Sequence, residues 1–265
     1  MAWRNLLALR FKPTADLWAV GASWLLVVAA LATATYVITP DNGVGYFLAY
    51  AVVWAAGFGV LFPTWWTVWR QKRTVADLGV TTRLLWLSIG LQLILSAIQY
   101  SQTLANTTLP DPLALLPLVA LALSIGLFEA IFWRGWVLLR LEAAFGFFPA
   151  LLVGSALYAL YHVGYGMGWN EIGFLFFIGL LYAAVFRVTK NIFILWPLLQ
   201  PMGQLTTLIN DGLTLPPIAA VGFIEALILM IVVLGVAWRY GATHPRARAG
   251  EEDGRADIPT VLSLS

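Results

Sequence analysis

Long apolar runs, separated by short polar segments, dominate this chain. Eight runs can be distinguished, and residues that favour turns or carry positive charge separate them. A helix needs about 20 predominantly apolar residues to cross the hydrocarbon core of a bilayer. The pattern therefore predicts helical spans over residues 17–39, 44–69, 84–99, 112–140, 147–162, 172–186, 191–208 and 217–238.

Composition supports this interpretation. Hydrophobic residues make up 61% of the chain, charged residues 11%, and the mean hydropathy is +0.84. A soluble domain is not this apolar, so we predict an all-α polytopic integral membrane bundle of about eight transmembrane helices. The lipid bilayer is therefore the partner that the composition predicts. The net charge of +2 gives no reason to expect nucleic acid, and the absence of cysteine excludes a thiol nucleophile or thiolate metal site.

Basic residues occur at alternate ends of the predicted spans. They precede the first span and follow the second, fourth, sixth and eighth, whereas residues 100–112 and 164–171 contain no Lys or Arg. Lys and Arg accumulate in cytoplasmic loops, so both termini are predicted to be cytoplasmic, in a multi-pass protein of the plasma membrane. We expect one membrane domain over residues 1–241 and a disordered polar tail over residues 242–265.

Two ionisable residues lie inside the fourth span. Glu129 and Arg134 stand five residues apart in an otherwise apolar stretch. An ionisable side chain at membrane depth is costly and suggests a functional site. The alternative is an internal ion pair that holds two helices together.

Other polar residues are predicted to lie at a similar depth. At a helical rise of about 1.5 Å per residue, Glu129 is about 16 Å from the basic end of its span, and His162 and Glu225 are about 20 Å from theirs. Gln200 and Gln204, one turn apart, fall in the same layer. The five side chains are therefore expected to face one another, a metal or a water-filled cavity. Each can also be explained as a hydrogen-bonded core residue.

The motifs over about residues 70–210 resemble those of the CPBP intramembrane metalloproteases, which include the type II CAAX prenyl endopeptidases. That family has Glu-Glu-x-x-x-Arg on one helix, an aromatic residue four before His on the next, and a later His-x-x-x-Asn. This chain has, within a motif core of about 112–210, the corresponding residues Glu129-Ala130 with Arg134-Gly135, Tyr158 with His162, and Gln200 with Gln204.

The resemblance implies hydrolysis of a peptide bond at a membrane-embedded site that opens towards the cytoplasm. Glu129 would activate a water molecule, Arg134 would be its partner, and His162 would bind a metal or stabilise the oxyanion. The implied metal is zinc, with Glu129, His162, Gln200 and Gln204 at the family positions. Glu225, which lies outside the family motifs, is added as a candidate ligand because of its depth. The implied substrate is a membrane-anchored or prenylated peptide.

Two departures leave the activity open. Ala130 replaces the second Glu, and Gln200 stands where a His is expected. Because an amide is a poor zinc ligand beside imidazole, the chain is either an endopeptidase or an inactive relative that serves as a scaffold or binding protein. A third possibility is a proton-coupled transporter with Glu129, His162 and Glu225 as the relay. The sequence has no repeated halves of the kind many transporters show.

Overall fold

The computed structural model describes residues 9–39 and 42–243, without the side chain of Asn106. Within these residues the chain forms eight helices and no β-strand. We number them α1 (Ala15–Ile38), α2 (Gly43–Arg70), α3 (Leu85–Thr103), α4 (Pro112–Phe145), α5 (Phe147–Tyr165), α6 (Trp169–Thr189), α7 (Leu199–Asn210) and α8 (Ala219–Thr243).

The predicted all-α membrane bundle is confirmed. Six of the eight helices are long and apolar enough to cross a membrane: α1, α2, α4, α5, α6 and α8. The remaining two, α3 and α7, do not meet that description. The prediction of about eight helices therefore holds for the bundle, but not every helix is a span by length and composition.

The predicted span over residues 191–208 is wrong as a continuous helix. The chain instead makes a short 3₁₀ turn at Ile192–Ile194, and α7 begins only at Leu199. With 12 residues, α7 is about 18 Å long, well short of the hydrocarbon core. Asn191 holds the turn in place because its side chain donates to the carbonyls of Thr81 and Arg83 at 2.8 and 3.0 Å.

Helix α3 buries its polar side. Ser88, Gln92 and Ser96 face the bundle, whereas Trp86 and Ile94 are 82% and 60% exposed. This is the reverse of a soluble amphipathic helix, and it suits a helix with lipid on one side and other helices on the other. The polar stripe explains why α3 has 19 residues and still falls short of the hydropathy of a span.

Helix α4 is the centre of the bundle. Its most apolar window is 78% buried, compared with 28–44% in the other five spans. Helices α2, α7 and α8 pack against it. The residues at its middle are therefore surrounded by protein rather than lipid.

Ion pairs tie the helices together at the basic end. Asp16 at the start of α1 accepts from Trp66 Nε1 at 2.9 Å and from Arg73 at 2.8 Å, and Arg140 Nε lies 3.5 Å from the same carboxylate. A second group joins Arg187 to Glu142 at 3.0 Å. The basic residues that predict the orientation thus also connect helices. The Asp16 group connects α1, α2 and α4, and the Glu142 group connects α4 to α6.

The C-terminal tail is mostly outside the described residues. Helix α8 continues to Thr243, past the predicted domain end at residue 241. Residues 244–265 of the predicted tail lie outside the part of the chain that the structure describes.

Candidate functional site

A cavity of about 630 Å³ lies between α3, α5, α6 and α7, against the middle of α4. Its innermost wall carries Glu129, and its exposed rim carries Gln102, Asn210 and Asp211. The remaining lining is mainly aromatic, aliphatic and amide side chains, and it includes Tyr50, Gln99, Tyr158, Tyr161, His162, Tyr165, Phe174, Leu175, Ile178, Tyr182, Gln200, Gly203 and Gln204. Four of the six predicted site residues, namely Glu129, His162, Gln200 and Gln204, therefore line one cavity.

Glu129 is held by two protein donors. It is 4% exposed, and the Tyr161 hydroxyl donates to its Oε1 at 2.7 Å. The Gln200 side-chain amide donates to its Oε2. The helix changes from α to π geometry directly after Glu129, over Ala130–Leu138. The same geometry occurs in α1 over Thr33–Ile38 and in α2 over Leu48–Leu61 and Trp66–Arg70, so it does not by itself mark the site.

Gln200 reaches Glu129 because α7 lies very close to α4. A Cβ built on Gly126, one turn before Glu129, would stand 2.5 Å from the ring of Pro201. A glycine is therefore needed for this approach. Pro201 is the third residue of α7, in the first turn, where proline is tolerated.

The two glutamines leave acceptor atoms unused. Gln200 is 2% exposed, and its Oε1 has no partner. Gln204 lies one turn further along α7, and its buried Oε1 also has no partner. Both residues line the cavity, and their amide oxygens lie in its wall, covered by neighbouring atoms in this structure.

His162 lies in a short 3₁₀ turn at the end of α5 and is 6% exposed. Its Nδ1 is 3.0 Å from the carbonyl oxygen of Tyr158. A carbonyl only accepts, so this contact assigns the hydrogen to Nδ1 and leaves Nε2 as an acceptor. The imidazole is therefore fixed as a potential base or ligand rather than as a donor at Nε2.

Arg134 is not the ion-pair partner of Glu129. Among the described residues no ion pair within 4.0 Å joins them, and Arg134 does not line the cavity. Its guanidinium instead lies 4.8 Å from the centre of the Tyr158 ring, and its Nε and one terminal nitrogen have no partner. The donors that Glu129 does have are Tyr161 and Gln200, one to each carboxylate oxygen.

Glu225 is not brought to this site either. It is exposed on α8 and is not among the cavity residues. Depth along a helix fixes the height of a side chain but not the direction in which it points. Ala226 and Phe223 face the bundle, so Glu225 between them points outward.

Several tyrosines complete the site, and the sequence interpretation named only Tyr158 among them, as the motif residue before His162. Tyr158, Tyr161 and Tyr165 stand four before, one before and three after His162, so they share its end of α5. The hydroxyls of Tyr50 and Tyr165 are 2.7 Å apart, and the ring of Tyr161 lies against His162 with centroids separated by 4.0 Å. Their spacing around His162 was the available signal.

The residues present do not fit a catalytic zinc ion. Such a site needs about three good protein ligands and an open position. The cavity offers one carboxylate, one imidazole and two amides, and the nearer amide turns its NH₂ group towards the carboxylate. Within residues 9–39 and 42–243 no three His, Asp or Glu side chains are grouped to hold a metal. Zinc with Glu225 as a ligand is excluded by the position of that residue.

The rim of the cavity lies at the end of the bundle without basic residues. Gln102 lies near the C-terminal end of α3, and Asn210 and Asp211 lie at the C-terminal end of α7. Tyr165 is the last residue of α5. The basic groups around Asp16 and Glu142 lie at the opposite ends of these helices. If the basic end is cytoplasmic, the cavity opens away from the cytoplasm, contrary to the expectation from the resemblance.

Comparison with known proteins gives one family. A family model described as type II CAAX prenyl endopeptidase Rce1-like matches residues 111–198. No curated protein and no solved structure matches the chain. The match includes Glu129, Arg134 and His162 and ends just before Gln200. Over residues 111–198 the resemblance inferred from the motifs is thus confirmed, and this part of the chain is similar to the Rce1-like type II CAAX prenyl endopeptidases.

Proposed function

We propose that this protein binds an amphiphilic molecule, such as a lipid-like compound or a membrane-anchored peptide, in its cavity without hydrolysing it. The observation that carries the proposal is the double hydrogen bond to Glu129 from Tyr161 and Gln200. These two bonds engage Glu129, the residue that an endopeptidase on this scaffold would use as its general base.

A general base must hold the water whose proton it removes. Each oxygen of Glu129 already accepts a hydrogen bond from a protein donor, so a water molecule at this carboxylate would be limited to the remaining lone pair of each oxygen. Gln200 stands where the resemblance expects a histidine, and it uses its NH₂ group on Glu129 instead of binding a metal. The arrangement stabilises a buried carboxylate more than it prepares one for catalysis.

The cavity itself suits a bound molecule. Its volume of about 630 Å³ is within the range of small-molecule sites, about 300–1,000 Å³. The wall combines aromatic and aliphatic side chains with amide and hydroxyl groups that can provide polar contacts. A ligand with an apolar body and a small polar group would fit both the apolar side chains and the polar groups of the wall.

The second candidate is peptide-bond hydrolysis, which two observations favour. Glu129 and His162 line the same cavity, and the family match covers both. A prenylated peptide would be the substrate, Glu129 the base and His162 a ligand residue, whereas an oxyanion role for His162 would need a hydrogen on Nε2. This candidate requires Gln200 to release Glu129 when the substrate binds.

We further propose that the protein lies in the plasma membrane with both termini in the cytoplasm. The distribution of basic residues supports this orientation. The cavity would then receive its ligand from the outer side or from the lipid.

Native mass spectrometry of the protein extracted from its own membrane tests the binding function. The blocking variant is Gly203→Leu, because a Cβ at Gly203 would already lie 2.7 Å from the Gln99 amide and 2.8 Å from the Tyr182 hydroxyl, inside the cavity. The matched control is Gly90→Leu on α3, where a Cβ would meet open space. We expect a bound molecule in the wild type and in Gly90→Leu but not in Gly203→Leu. Equal occupancy in all three folded proteins, or none in any, would contradict the proposal.

A further inference from the structure

The charged residues of the cavity all have the same sign. Glu129 lies at its inner wall and Asp211 at its rim, and among the described lining residues none is Lys or Arg. The surroundings of the rim reinforce this, because Asp111 and Glu171 lie at the same end of the bundle, at the starts of α4 and α6. A cation approaching this end therefore meets a favourable potential, and an anion an unfavourable one.

The unpartnered polar atoms point to the same kind of ligand. Gln200 Oε1 and Gln204 Oε1 are both acceptors, both buried and both without a partner. The NH₂ group of Gln200 is committed to Glu129, so its amide cannot turn round without losing that bond. A buried acceptor without a donor costs about 1–3 kcal/mol, so a ligand that supplies N–H groups here is favoured over one that only accepts.

The aromatic wall is compatible with a positive group. Tyr50, Tyr158, Tyr161, Tyr165 and Tyr182 all line the cavity. The face of an aromatic ring is negative and attracts an ammonium group. Arg134 already uses the Tyr158 ring in this way from outside the cavity, with 4.8 Å between guanidinium carbon and ring centre.

An apolar side wall is available for the rest of the ligand. Phe174, Leu175 and Ile178 lie along α6 and line the cavity, and Phe174 is also 66% exposed at the outer surface of the bundle. An alkyl chain at this wall would therefore be continuous with the surrounding lipid. The cavity combines an acceptor-rich inner part with an apolar side.

From these observations we infer that the bound amphiphile carries an amino or ammonium group, which enters past Asp211. It donates to the free oxygens of Gln200 and Gln204 once these side chains shift enough to uncover them. Its apolar part lies along α6. This inference rests on the proposed binding function and specifies the class of ligand. Carboxylate and phosphate amphiphiles are disfavoured because they bring a further negative charge to a cavity whose charged lining residues are both acids, and because they bring no donor to the free oxygens of Gln200 and Gln204.

Three probes of equal chain length test the inference: dodecylammonium, dodecanol and dodecanoate. Each is titrated by native mass spectrometry into the full-length protein in nanodiscs of zwitterionic lipid, with Gly203→Leu as the blocked control. We expect dodecylammonium to bind about tenfold more tightly than dodecanol, the gain expected from hydrogen bonds to a charged donor, and dodecanoate to bind most weakly. Dodecanoate binding as tightly as dodecylammonium would overturn the inference.

Two variants locate the headgroup. In Gln204→Leu the preference for dodecylammonium over dodecanol should fall about fivefold, since one acceptor is lost. In Asp211→Asn the affinity for dodecylammonium should fall about threefold at low salt, whereas Asp111→Asn, the same change outside the cavity, should lower it by clearly less. An equal loss in Asp111→Asn and Asp211→Asn would show a surface charge effect and contradict the assigned entrance.

Failure of this inference differs from failure of the proposed function. If dodecanol and dodecanoate bind as tightly as dodecylammonium, in a manner that Gly203→Leu abolishes, the binding function stands and only the headgroup class is wrong. If no probe binds and a peptide is cleaved in a manner that depends on Glu129, the binding function itself is wrong.

Discussion

The side-chain amide of Gln200 donates a hydrogen bond to the carboxylate of Glu129, and this bond joins the short helix α7 to the central helix α4. Both residues are at least nine-tenths buried, with exposures of 2% and 4%. The residue at position 200 thus stabilises the buried acid, whereas the family resemblance implied a metal ligand there. The predictions below follow from this contact and from the surrounding bundle.

Removing the amide should be costly. In Gln200→Leu, Glu129 Oε2 loses its donor, and we expect the free energy of unfolding to fall by about 1–3 kcal/mol, the usual cost of an unsatisfied buried group. The matched control is Gln92→Leu on α3, which is also 2% exposed but whose Nε2 has no partner. Unfolding by denaturing detergent measures both. A loss in Gln92→Leu as large as in Gln200→Leu would contradict the role of the Glu129 contact.

The Tyr161 hydroxyl should contribute more than an ordinary tyrosine hydroxyl. In Tyr161→Phe the ring keeps its packing against Trp133, 4.9 Å away, but the 2.7 Å bond to Glu129 is lost. We expect a loss of about 1.5–3 kcal/mol, typical of a bond to a charged acceptor. Tyr50→Phe, which loses a bond to the neutral Tyr165 hydroxyl, should lose about 1 kcal/mol. Unfolding by denaturing detergent compares the two variants. Equal losses of unfolding free energy in Tyr161→Phe and Tyr50→Phe would argue against a charged Glu129.

Much of the bundle follows from the sequence. The apolar runs predict α1, α2, α4, α5, α6 and α8 within a few residues, because a membrane helix needs a long apolar segment whatever its neighbours are. Helix α7 could not be predicted in this way. The run over residues 191–208 is apolar because it is buried in protein, and tertiary contacts of Asn191 and Pro201 decide where the helix begins.

The ion-pair group at the basic end is a third stability determinant. Asp16 accepts from Trp66 and Arg73 and faces Arg140, whose side chain is only 6% exposed. We expect Asp16→Ala to lower the free energy of unfolding by about 2–4 kcal/mol, less than for a fully buried pair because the Arg73 side chain is 39% exposed. Glu225→Ala, at an exposed position on α8, should change it by less than about 0.5 kcal/mol. A larger effect at Glu225 would mean that this residue has a partner.

The orientation of the cavity can be tested directly because the chain has no cysteine. Asp211→Cys places a thiol at the cavity rim, and Ala76→Cys places one in the exposed turn at the basic end. An impermeant maleimide applied to intact cells should label Asp211→Cys, whereas Ala76→Cys should be labelled only after the membrane is opened. The reverse pattern would place the cavity at the cytoplasmic side, as the family resemblance first suggested.

The candidate site was predicted only in part, and the reason is geometric. Equal depth correctly grouped Glu129 with His162 and the two glutamines, since helices that pack side by side bring residues of equal height together. Depth contains no information about rotation around the helix axis, so it also selected Glu225, which points outward. Nor does a one-dimensional motif show that Arg134 stacks on Tyr158 instead of pairing with Glu129.

The central claim is that this scaffold binds without cleaving, and one measurement tests it most directly. A farnesylated peptide with a C-terminal tetrapeptide is incubated with liposomes that contain zinc and either the wild-type protein or Glu129→Gln. The mass of the recovered peptide is then measured by mass spectrometry. Binding without hydrolysis predicts that the peptide is recovered intact from both proteins. A shortened peptide that appears with the wild type and disappears with Glu129→Gln, in protein shown to be folded, would contradict the account and establish an endopeptidase.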